Sequence, residues 1–166
     1  KWVKQSIHYW CPDTKEHKFL GQNVTVAILD TGISPHPDFK DRILSFRDFS
    51  STTGSSEKVL FSFSHFSPLI DNSGHGTHVA GILAGSGLLS SGTYAGIAPF
   101  CNLIIGKVLD QNGNGSIKNV INGIQWIRDI YTQFHIRIIN ISVGTRPDLS
   151  IHQKLLLAFR SAILLE

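Results

Sequence analysis

Methionine is missing from all 166 residues, position 1 included, and only two cysteines are present, Cys11 and Cys101. A chain that does not open on Met is expected to be a processed start or a piece of something longer. Two cysteines cannot build a disulfide framework, and neither sits in a Cys-x-x-Cys spacing. Both are expected to be reduced, partly buried small apolar residues. No apolar run approaches the roughly 18–20 residues of a membrane span, and no basic-then-apolar leader opens the chain. Charged residues make up only 16%, with a net charge of +3 and a pI near 9.0. Lysines and arginines are scattered, so no basic stripe for a phosphate backbone forms, which argues against a nucleic-acid partner.

What is plentiful is apolar surface, 42% of residues, and glycine, 15 in all. That suits one compact domain with many tight turns rather than a coiled coil or a disordered tail. Val24–Leu29, Leu103–Leu109 and Arg137–Val143 are apolar almost without alternation and read as buried parallel strands. Ile117, Val120, Ile121, Ile124, Ile127 and Tyr131 recur at spacings of three and four, the stripe of an amphipathic helix, with Ser116 ahead as its N-cap. Ile151, Leu155, Phe159, Ala162 and Ile163 repeat the pattern behind Ser150. A third, short helix is expected from near His75 through Val79, Ile82 and Leu83. Strand alternating with helix predicts an α/β fold of three layers, a mainly parallel sheet with helices on both faces. Residues 1–20 read as an approach segment and 21–166 as the body. Ser50 to Pro68, rich in serine and holding Phe61, Phe63 and Phe66, reads as a surface loop pinned by its phenylalanines.

Chemistry concentrates at strand ends, where open α/β sheets place their working residues. Asp30-Thr31-Gly32 follows an apolar strand. Alone it is a turn-forming aspartate, a carboxylate held for catalysis, or half of an aspartic-protease dyad. The run Asp71-Asn72-Ser73-Gly74-His75-Gly76-Thr77-His78-Val79-Ala80-Gly81 sets a histidine at a helix start among small residues. Gly76, Ala80 and Gly81 form a face for close helix packing. A histidine titrating near neutrality can take and return a proton during acyl transfer if a buried carboxylate fixes its tautomer. His75 and His78 at i, i+3 invite a zinc reading, but no His-Glu-x-x-His pattern and no third ligand accompany them.

Val26–Ile33 (Val-Ala-Ile-Leu-Asp-Thr-Gly-Ile), His36-Pro37-Asp38 and Gly74–Gly81 (Gly-His-Gly-Thr-His-Val-Ala-Gly) resemble the first two signatures of the subtilisin-like serine proteases, the subtilases. Asp30 and His75 stand 45 residues apart. The resemblance continues through Gly96–Pro99, Lys107–Leu109 and Ile139–Gly144, covering most of the chain from Gly21 to Phe159. It implies that Asp30 is the relay carboxylate and His75 the general base, with His78 outside the relay and packed behind the helix. It implies a cleft in which a polypeptide substrate lies as an extended strand between Ser142-Val143-Gly144 and Asn112-Gly113-Asn114-Gly115. Thr145 departs from the family's second glycine at that wall. Many subtilases bind calcium, partly through the His-Pro-Asp aspartate and a loop inside the helix that follows the relay histidine. Here Asp38 is present, but Gly85–Thr93 offers no carboxylate or Asn, so no calcium is expected at this site and Asp38 is read as a turn residue. Calcium elsewhere in a full-length protein stays open, and no other cofactor is called for. The opening Lys1–Ser6 resembles the approach to a mature subtilase, which would place a propeptide upstream.

The family's third signature, Gly-Thr-Ser-x-Ala with the nucleophile, occurs nowhere, nor does a Gly-x-Ser-x-Gly elbow. The fold is therefore expected to be incomplete at its carboxyl end, with apolar surface left on the last strand and helices. The leading expectation is a serine endopeptidase in the full-length product, with this chain inactive by itself. The alternative is a catalytically dead pseudoprotease or peptide-binding module. A remote third is an aspartic protease built on Asp30-Thr31-Gly32, which Ile104-Ile105-Gly106 faintly echoes. Two cysteines and the absence of a leader permit an intracellular enzyme, while loss of leader and propeptide would fit a secreted one.

Overall fold

A computed structural model of the chain describes residues 4, 6, 19–50, 57–59, 70–144, 150 and 153–158. Five strands form one sheet: β1 (Thr25–Asp30), β2 (Ile43–Asp48), β3 (Glu57–Val59), β4 (Asn102–Lys107) and β5 (Ile136–Ile141). Their order is β3-β2-β4-β1-β5, with only the β2–β3 pair antiparallel. Helix α1 (His75–Ala84) and the long α2 (Ile117–Phe134) connect the parallel strands, and short 3-10 turns lie at Pro37–Phe39 and Leu88–Ser90. Residues 153–158 are helical.

Strand parity sorts the core into two layers. Ala27 and Leu29 of β1 and Ile104 of β4 pack with Val120, Ile124, Trp126, Ile127, Ile130 and Phe134 of α2, and with Ala158. Val26 and Ile28 of β1 and Leu103 and Ile105 of β4 point to the other face, against Ala80 and Ala84 of α1, Phe39 and Phe46. Each Ile or Leu fully removed from water contributes about 1.5–3 kcal/mol, so β1 and β4, the central strands, anchor the domain. The same parity sends Asp30 and Lys107, paired in register, to the α1 face. That positions the site.

The expected strands appear with ends shifted by one or two residues, and Ser116 caps α2 by accepting the N–H of Asn119. Four expectations need correction. β2 and β3 were not anticipated: β2 is buried only over part of its length, and β3 lies inside the segment expected to be a loop, where its backbone pairs with Ser45–Arg47. β5 is not buried along its length, because it is the sheet edge, and Ile138 is 53% exposed. Among the described residues Gly81 makes no close packing, since a Cβ there would meet none of their atoms within 4 Å; Gly76, Ala80 and Ala84 make the buried face. Ser150 is itself helical rather than a cap. Phe61, Phe63, Phe66, Cys11, Thr145, Ile151, Phe159, Ala162 and Ile163 lie outside the described residues. Cys101 is a free, buried thiol whose pKa burial pushes up.

Candidate active site

Asp30 ends β1 and is fully buried, while His75 opens α1 with half its side chain exposed. The imidazole Nδ1 lies 2.7 Å from Asp30 Oδ1. A buried carboxylate in this position only accepts, so Nδ1 carries the proton and Nε2 keeps its lone pair. Hydrogen bonding to Asp30, and then its charge, raises the His75 pKa above the ordinary histidine value. Asp30 Oδ1 also takes the Thr31 N–H at 2.7 Å; among the described residues Oδ2 is buried without a partner.

Two glycines let the segments meet. Gly32 sits at φ +115, in the left-handed region, and a Cβ there would come within 2.1 Å of the Ile70 carbonyl oxygen. At Gly76 a Cβ would stand 2.3 Å from the Gly32 carbonyl oxygen and 3.2 Å from Asp30 Cβ. Only hydrogen fits.

The helix start has no N-cap side chain, since Gly74 at φ +85 occupies that position. Asp71 does the work from three residues further back. Its carboxylate accepts the N–H groups of Gly74 at 2.8 Å, Thr77 at 2.8 Å and Ser73 at 3.2 Å, and the hydroxyls of Thr77 at 2.5 Å and Thr31 at 2.8 Å. Thr31 Oγ1 in turn accepts the Gly76 N–H at 2.9 Å, and Thr77 Oγ1 accepts that of Ser34. The network stitches the turn after Asp30 to the helix carrying His75, with a negative charge at the positive helix end. Burial pushes the Asp71 pKa up, but the bonds from Thr77, Thr31 and Gly74 outweigh it and hold the carboxyl below its ordinary value.

Lys107 is buried, 5% exposed, and its ammonium donates to the carbonyls of Thr31 at 2.5 Å and Leu109 at 2.9 Å. It joins the Asp30 turn to the segment leading out of β4. There Asp110 organises the next turn: Oδ1 accepts the N–H groups of Asn112 and Asn114, and its own N–H reaches the Asn114 carbonyl. A cleft of about 650 Å³ opens beside His75, its walls drawn from Gly113–Ile117 and from Ile141–Gly144, with Leu155 also on its lining. Gly113, Asn114, Gly115, Ser142, Val143 and Gly144 thus line one cavity with His75 and Thr31; Asn112 stands in the same turn but off the cavity wall. Asn140 Nδ2 donates to Ser142 Oγ at the foot of the second wall.

His78 was expected to pack behind the helix. Instead it is exposed, on the wall of a separate cavity of about 720 Å³ with His36, Tyr94 and Ile97. Among the described residues no three His, Cys, Asp or Glu side chains gather as metal ligands. Asp71, Thr31, Thr77, Lys107 and Asp110 went unassigned in the sequence. Asp110 alone advertised itself, as an Asp ahead of Asn-Gly-Asn-Gly, the composition of a side-chain-anchored turn.

The family model of the subtilases (Peptidase_S8) matches residues 21–161. The chain belongs to the subtilase family. Serine protease AprX of Bacillus subtilis is 46% identical over 106 residues, 64% of this chain but 21% of AprX. Subtilisin E of the same organism is 37% identical over 134 residues, 80% of this chain and 30% of the relative. Among solved structures, Sphericase superposes with a TM-score of 0.69 at 27% identity, covering 84% of this chain and 43% of that one. The Clostridium perfringens CspB protease gives a TM-score of 0.70 at 25% identity, over 86% and 34%. The chain therefore spans well under half the length of these subtilases.

Proposed function

We propose that this chain is the part of a serine endopeptidase that supplies the relay carboxylate Asp30, the general base His75 and both walls of the peptide cleft. The observation that carries the reading is the 2.7 Å contact between Asp30 Oδ1 and His75 Nδ1, beside a cleft lined by both Gly113–Ile117 and Ile141–Gly144. Asp30 holds the imidazole in the tautomer whose Nε2 faces outward as a base, and stabilises the imidazolium once it has taken a proton. The Gly113 carbonyl, Gly115 and Ser142–Gly144 offer main-chain groups to an extended polypeptide, while those of Asn114 are held by Asp110, giving affinity with little demand on the substrate's sequence.

The 166 residues contain no Gly-Thr-Ser-x-Ala element, so a serine from elsewhere in a full-length product completes the relay, and these residues alone form no acyl-enzyme. That same lack favours the second reading, a binding module with the cleft but no turnover. Fluorophosphonate labelling followed by intact mass separates them. Labelling of the full-length product only, abolished by His75→Ala, supports the relay. A folded full-length product that stays unlabelled leaves the binding module, and labelling of the 166-residue chain would mean that a serine within it is the nucleophile.

A further inference from the structure

The loop leaving α1 is where a subtilase with the appropriate ligands holds calcium, and the donor set here does not fit that ion. Calcium takes six to eight oxygen ligands, carboxylates and carbonyls above all. Among Gly85–Thr93 no side chain is a carboxylate or an Asn. The loop turns main-chain N–H groups toward the Asp38 carboxylate: Gly87 donates to Oδ2 at 3.0 Å, and Leu89 to Oδ1 at a longer 3.4 Å. Both Asp38 oxygens are already engaged with donors.

A positive charge is nevertheless present, and it belongs to the protein. Arg42 sits one turn beyond Asp38, and its guanidinium gathers three main-chain carbonyls from three segments. Nη1 donates to Cys101 at 2.9 Å, and Nη2 donates to Ala84 at 2.7 Å and to Asp38. Ala84 is the last residue of α1 and Cys101 immediately precedes β4, so one side chain ties the helix exit to the sheet and to the Pro37–Phe39 turn. Carbonyls at a helix C-terminus carry partial negative charge, which a cation there relieves. The Ser86 N–H adds a bond to the Asp38 carbonyl, and the Gly96 N–H one to Gly85.

We propose that Arg42 and Asp38 act as a built-in substitute for the metal ion: the guanidinium collects the carbonyls, the carboxylate collects the N–H groups, and the loop after the His75 helix closes without calcium. A dication beside Asp38 would face the Arg42 charge and would have to displace the Gly87 and Leu89 donors. Both effects oppose binding.

The test is thermal unfolding of the intact chain in millimolar CaCl2 and in chelator, with calcium titration calorimetry alongside. The wild-type midpoint is expected to agree in the two conditions within about 1 °C, with no binding heat. Arg42→Met is expected to lower the midpoint by roughly 4 °C or more, since charge-assisted bonds to three carbonyls are lost, with no recovery on adding calcium. If that variant does not fold, Arg42→Lys keeps the charge with fewer donors and should fall between the two, again indifferent to calcium. A calcium-induced rise in the wild type that Asp38→Asn abolishes would overturn the proposal, as would an Arg42→Met midpoint equal to wild type. A rise retained in Asp38→Asn places any cation elsewhere and upholds it. Terbium luminescence excited through Tyr94, exposed beside the loop, gives an independent readout: saturable emission lost in Asp38→Asn also overturns it.

Discussion

The Asp71 carboxylate takes both the main-chain N–H and the hydroxyl of Thr77, two residues beyond His75, while its other oxygen takes the hydroxyl of Thr31, the residue after Asp30. One side chain thus sets the spacing between the two groups proposed as the relay, without touching either. Asp71→Asn keeps the shape but replaces one acceptor oxygen with a donor, so it cannot serve all five bonds. The Asp30–His75 contact should loosen and the direct pull of the Asp71 charge is lost, so the His75 pKa, raised chiefly by the Asp30 contact and also by Asp71, should fall back toward 6.5. NMR titration of the His75 ring proton checks this on the chain itself. In an active full-length product kcat/KM should drop about 10–100-fold, the effect of displacing a catalytic group by a fraction of an ångström to an ångström. An unchanged His75 titration would reduce Asp71 to a helix cap.

Asp30 and His75 were legible because both lie in short, residue-specific signatures, and the run before Asp30, broken only by Thr25, is apolar enough to mark a largely buried strand. The supporting shell was not. Lys107 looked like one more residue of a strand end, and nothing in its neighbours says that its ammonium crosses to Thr31, 76 residues away in sequence. β3 was hidden for a different reason: three residues, Glu57–Val59, carry no period long enough to read, and an edge pairing with β2 decides their conformation. The burial of β5 was overestimated because composition reports apolarity, whereas the place at the sheet edge decides exposure.

Stability should depend on pH on both sides of neutrality, with opposite signs. The folded-state pKa of His75 is raised, so its contribution is fully present below about 6.5 and is lost as pH rises through the higher folded value. The folded-state pKa of Asp71 is lowered, so its contribution is present above about 3.9 and is lost as pH falls through the lower folded value. Urea unfolding of wild type against Asp30→Asn across pH 6 to 9 isolates the first effect: the difference between them should shrink as pH rises. A difference that grows would contradict the pairing.

His75→Ala in an active full-length product should cut kcat by several orders of magnitude, as removal of the relay imidazole does in subtilisin. KM should move little, because the cleft walls Gly113–Gly115 and Ser142–Gly144 remain. A residual rate close to wild type would remove His75 from the mechanism.

Gly76→Ala sets two effects against each other. Alanine favours a helix over glycine by about 1 kcal/mol, and position 76 lies in the first turn of α1, where the gain is smaller. Against that, the new Cβ would stand 2.3 Å from the Gly32 carbonyl oxygen, far inside contact distance, with backbone rather than a movable side chain in the way. Overpacking of this kind costs typically about 1–3 kcal/mol or more, so the clash wins. The helix start must retreat from β1, which pulls His75 off Asp30. Gly76→Ala is therefore expected to lose stability by about 1–3 kcal/mol in chemical denaturation, and to lower the His75 pKa in the same sample. Gly81→Ala is the control. A Cβ there meets no atom of the described residues within 4 Å, so helix propensity dominates, and it should leave stability unchanged or raise it by up to about 1 kcal/mol. If both variants behave alike, close approach of α1 to the Gly32 turn is not what holds His75 against Asp30.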